Sequence, residues 1–71
     1  MPSEANQIAD DLRVIADRIA DEAMATLRKA LRADLEEQTE LRRSEKRLTR
    51  SRRSVEKAIS LLDGVDAADE E

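Results

Sequence analysis

Charge is the chemistry this sequence offers most plainly. Arg42, Arg43, Lys46, Arg47, Arg50, Arg52, Arg53 and Lys57 fall between positions 42 and 57, against only Glu45 and Glu56, so the stretch carries net +6. Lysine and arginine neutralise phosphates and release their counterions, and arginine also grips a phosphate through two parallel N–H bonds. Arg42, Arg43, Lys46, Arg47, Arg50 and Arg53 are therefore the candidate nucleic-acid contacts. The chain has no Phe, Tyr or Trp, so nothing can stack on an unpaired base. The competing expectation is a solvated helix face that pairs with acids of its own fold.

Other chemistry is scarce. Asp10, Asp11, Asp17, Asp21 and Glu22 have the helical spacing of a cation site, but there is no His or Cys to join them. A salt-bridged surface is the expectation there, with no metal and no cofactor. Ser44, Thr49, Ser51 and Ser54 are hydroxyls without a histidine base, and nucleophile activation needs one nearby. A single glycine cannot form a phosphate-cradling loop. No catalytic residue is assigned and no enzyme is expected.

The elements that carry these groups are helical. Ala, Leu, Arg, Glu and Asp dominate, with one Gly and one Pro in 71 residues, a composition that marks long helices and coiled coils. Ser3 is placed to cap a first helix, with Glu4 at the positive end of its dipole. Ile8, Leu12, Ile15, Ile19, Ala23, Leu27 and Ala30 or Leu31 then recur three or four apart, on one side of an α-helix. Ala16, Ala20, Met24, Leu31 and Leu35 widen that side until it suits two neighbours. Asp34 followed three later by Glu37 has the spacing of a capping box, which predicts a turn near Ala33-Asp34.

The second half repeats more strictly. Leu41, Leu48, Val55 and Leu62 lie seven apart, and three beyond each stand Ser44, Ser51, Ala58 and Val65. Large residues on one row and small on the other predict a close helix seam. Ile59 adds apolar area near the end. Gly64 follows the last strong repeat, where a left-handed C-terminal cap belongs.

The expected fold is all-α. An N-terminal cap (1–3) leads to an antiparallel helical hairpin (4–64, helices about 4–33 and 35–63) and an acidic flexible tail (65–71). Two hairpins are expected to form a four-helix bundle. The alternative is one continuous helix in an antiparallel dimer. The helix-pairing residues are Ile8, Leu12, Ile15, Ile19, Leu27 and Leu31 from the first half. The second half supplies Leu41, Leu48, Val55, Ile59 and Leu62.

Segments 1–41 and 58–71 each carry net −5 around the basic stretch. Folded at the turn, Arg50 and Arg53 are expected near Asp17 and Asp21, and Lys57 near Asp10 or Asp11. So short a chain, with no disulfide, needs help to stabilise a core, and a homo-oligomer, most simply a dimer, is the expected support. Another helical protein is the alternative partner. No apolar run approaches bilayer length and no signal-like N-terminus is seen, so a cytoplasmic protein with no membrane partner is expected. The functional expectation is a small protein–protein interaction or assembly module acting by helix pairing. The alternative is a nucleic-acid-binding regulator using residues 42–57.

Overall fold

A computed structural model describes residues 3–64. Two helices, α1 (Glu4–Arg32) and α2 (Leu35–Leu62), pack against each other as an antiparallel hairpin. The alternative of a single unbroken helix does not occur, because the chain reverses at Ala33-Asp34.

The local causes are readable in the backbone. Ser3 is extended, and its hydroxyl accepts from the Asn6 N–H at 3.1 Å. That satisfies one of the donors a helix start leaves free. Ala33 and Asp34 are both extended, with ψ of 159° and 173°, which turns the chain. The Asp34 carboxylate then accepts from the Glu37 N–H at 2.9 Å and starts α2. Gln38 ties the corner, its side-chain amide donating to the Ala30 carbonyl at 3.1 Å. At the far end Gly64 sits at φ 83°, and its N–H donates to the Leu61 carbonyl. A side chain there would be strained, since only glycine takes that conformation freely.

The seam between the helices is built from unequal halves. Ala9, Ala16, Ala23 and Ala30, seven apart, are the buried apolar residues of α1. Repeats of seven keep one row facing a neighbour along its length. Against them α2 presents half-buried Leu41, Leu48, Val55 and Leu62, and buried Ile59. Ala9, Ala16 and Ile59 form the central cluster, with Leu12, Val55 and Leu62 packed on it. Thr26 is buried in the same seam, and its hydroxyl donates to the Glu22 carbonyl one turn back. No buried side-chain polar atom is left unpaired among the described residues.

Two expectations about this seam need correction. The row that partners Leu41, Leu48 and Val55 was expected three residues on, at Ser44, Ser51 and Ala58. Ser44 and Ala58 are indeed half-buried, but Ser51 is exposed, and Ile59, four beyond Val55, is the buried residue of α2. The fully apolar Ile59 turns this edge of α2 inward, and a serine has little to gain by burial. Val65 lies outside the described residues, as does the acidic segment 65–71.

The second correction concerns charge. No ion pair joins Arg50 or Arg53 to Asp17 or Asp21, or Lys57 to Asp10 or Asp11, among the described residues. Among the described residues one inter-helix ion pair is present, Arg13 with Asp63, and its polarity is the reverse: a base on α1, an acid at the end of α2. Pairs Arg13–Asp10, Arg43–Glu40 and Arg52–Glu56 lie within single helices. Arg50 is two residues from Leu48, more than half a helical turn, so it points away from α1.

Candidate functional site

Three surfaces can be built from these elements. The first is apolar. Large side chains beside the alanine row form the shoulder of the seam. Leu12 and Ile19 are half-buried there, while Ile8 and Ile15 remain 42% and 41% exposed. Leu48 adjoins them across the seam, and Ile15, Arg18, Ile19, Glu22 and Leu48 line a shallow groove of about 530 Å³. Toward the turn, Arg28, Lys29, Arg32, Glu37 and Leu41 line a second groove of about 370 Å³. These are troughs between helices, not enclosed ligand cavities.

The second surface is the other shoulder, apolar along the middle of the hairpin and polar toward its open end. Ala20, Ala23, Met24 and Leu27 of α1 meet Glu45, Leu48, Thr49 and Arg52 of α2. The Thr49 hydroxyl donates to Glu45 Oε2 at 2.7 Å. This bond occupies both groups at the edge of the seam. Nearer the open end, Arg13 and Asp17 face Glu56 and Ser60 across Ala16 and Ile59. Mixed charge and a hydroxyl mark the open end of this side, while Ala20, Met24 and Leu27 keep its middle apolar.

The third surface is the outer side of α2. Arg43, Lys46, Arg47, Arg50, Arg53 and Lys57 are all exposed there. Steps of three and four join them into a stripe on the side away from the Leu41–Leu48–Val55 row. Arg42 is exposed too, on the flank of the stripe. Arg42, Lys46, Arg47, Arg50, Arg53 and Lys57 have no carboxylate partner within ion-pair distance among the described residues. Arg43 reaches Glu40 on its own helix at 3.2 Å.

The expected helix-pairing residues divide accordingly. Leu12, Ile19, Leu27, Leu41, Leu48, Val55, Ile59 and Leu62 are buried or half-buried along the seam. Ile8 and Ile15 lie on its apolar shoulder. Leu31 is 77% exposed and stands apart, and Ala30 takes the buried place instead. Sequence reasoning missed Ala9, Thr26 and Gln38. The alanine repeat of seven, Ala9 through Ala30, was the available signal, but it was hidden by the louder isoleucine and leucine pattern beside it.

The acids Asp10, Asp11, Asp17, Asp21 and Glu22 are exposed on α1, and Asp10 engages Arg13. No group of three or more candidate metal ligands converges among the described residues. No described helix is long and apolar enough to cross a membrane. Neither a known family, nor a curated protein, nor a solved structure matches this chain.

Proposed function

We propose that the protein is a small assembly module that works by helix pairing, and that its first partner is a second copy of itself. The observation that carries this is the absence, among the described residues, of any large side chain that is fully buried. Four alanines and Ile59 make up the buried apolar core. Domains ordinarily need two packed layers around a core, and this hairpin is a single layer, about 11 Å across its thinnest dimension.

Stacking two hairpins through the Ile8–Leu12–Ile15–Ile19 shoulder supplies the missing layer and yields a four-helix bundle. The charges that line the grooves there favour a like partner. Arg18 stands with Glu22 in the groove lined by Ile15, Ile19 and Leu48, so a second copy laid on that groove meets both signs. Burying an isoleucine fully is worth about 1.5–3 kcal/mol, and a symmetric interface counts each residue twice.

Sedimentation equilibrium tests this directly. The full chain is expected at the mass of two chains at micromolar concentration. Ile15→Asp with Ile19→Asp is expected to reduce it to one chain, with a loss of thermal stability. A wild-type mass of one chain across the micromolar range overturns the proposal.

A further inference from the structure

We propose that the outer stripe of α2 binds the phosphate backbone of duplex nucleic acid without reading its sequence. Every outward position from Arg43 to Lys57 along this stripe is Arg or Lys, except Ser54. Arg43, Arg50 and Lys57 repeat every seven residues, and Lys46 and Arg53 do so beside them. Two parallel rows of cations therefore run about 21 Å along the helix. Apart from Arg43, which pairs with Glu40, they meet no carboxylate among the described residues: the acids expected to cover this face lie on α1, on the other side of α2.

The chemistry of the stripe selects its partner. A protein interface takes most of its energy from a few desolvated aromatic or apolar anchors. The stripe has none, and a lone surface ion pair contributes only about 0–1 kcal/mol. A membrane-surface helix needs bulky apolar residues to enter the acyl boundary, and these are absent from the stripe too. A nucleic acid is different, because displacing its condensed counterions generates affinity from charge alone. Arginine, which outnumbers lysine here, adds two-pronged contact with phosphate. With no aromatic side chain in the protein, single strands gain no stacking. No Asn or Gln stands on the stripe to read a base edge. A rigid row of charges suits the regular backbone of a duplex.

This inference does not rest on the dimer, since one hairpin presents the whole stripe. The test is fluorescence anisotropy of the full-length protein with a labelled DNA duplex about two helical turns long, titrated at increasing salt. Binding is expected at low salt, with similar affinity for unrelated sequences. Five or six contacts predict about a thousandfold loss of affinity between about 50 and 200 mM salt. Arg47→Glu, Arg50→Glu and Arg53→Glu together are expected to abolish binding, with helicity and sedimentation mass unchanged. Arg50→Ala alone is expected to lower the salt slope by about one.

Four results overturn the inference. One is no binding at low salt. Another is affinity that ignores salt. A third is binding that survives the triple charge reversal. The last is equal affinity, at matched salt, for polyglutamate or for vesicles of anionic lipid. Should the triple variant change the sedimentation mass instead, the stripe belongs to helix pairing and the assignment fails.

Discussion

The two helices of the hairpin are nearly equal in length and opposite in how they spend their surface. Helix α1 turns its smallest residues, Ala9, Ala16, Ala23 and Ala30, toward its neighbour and sets isoleucines on the shoulder. Helix α2 turns Leu41, Leu48, Val55, Ile59 and Leu62 inward and leaves its outside to arginine and lysine. Small against large lets two helices lie close without voids, because each alanine opens the space a leucine fills. The asymmetry also separates tasks. The isoleucines Ile8 and Ile15 of α1 stay partly uncovered, whereas the five large residues that α2 turns inward are covered within the chain.

The sharpest way to break this arrangement is to hollow out its large half. Ile59→Ala deletes the buried apolar side chain of α2 at the central cluster. A loss of about 2–4 kcal/mol is expected in urea unfolding, from lost transfer energy and an unfilled cavity. The same change at Leu61, which is 55% exposed, is expected to cost less than about 1 kcal/mol. Equal losses at the two sites would contradict the described seam.

Filling the small half should cost somewhat less. Ala16→Leu forces a branched side chain between Ile59 and its surroundings, and over-packing of this kind costs about 1–3 kcal/mol. Ala25→Leu, a control off the alanine row, is expected to shift stability by less than about 0.5 kcal/mol. Thermal unfolding of both variants decides whether the alanines are a fitted surface or merely good helix formers.

The smallest expected effect lies at the caps. Asp34→Ala removes the acceptor for the Glu37 N–H, at a cost of about 1 kcal/mol. Ser3→Ala should cost less, because the first turn of α1 can fray without opening the seam. Hydrogen exchange at the Glu37 amide, faster in Asp34→Ala than in wild type, checks the cause and not only the size.

Much of the hairpin was legible before any coordinates. Ser3, Asp34 and Gly64 act through short-range bonds and backbone preferences, so their roles follow from their immediate neighbours in sequence. The apolar repeats likewise gave the two helices to within a residue at each end. Two things escaped. Periodicity identified a broad apolar side on α1 but not which row faced α2. Close approach rewards the smallest residues, and alanine is unremarkable in any helix. Charge counting failed for a geometric reason. Folding the chain at residue 34 sets Arg50 and Arg53 near the level of Asp17 and Asp21. It says nothing of direction around the axis, and these arginines point outward. The apolar shoulder was named in part, through Ile8 and Ile15, but its separation from the internal seam needed the alanine row to be seen first.

The alanine row carries one more consequence. Intramolecular closure depends on residues that cannot grow, while the proposed pairing with a second copy would fall to side chains the hairpin itself hardly uses. Variation at Ile8 and Ile15 can therefore alter partner preference at little expense to the protomer. Two duplicated copies of such a gene would have an easy path to becoming mutually blind, each joining only its own kind.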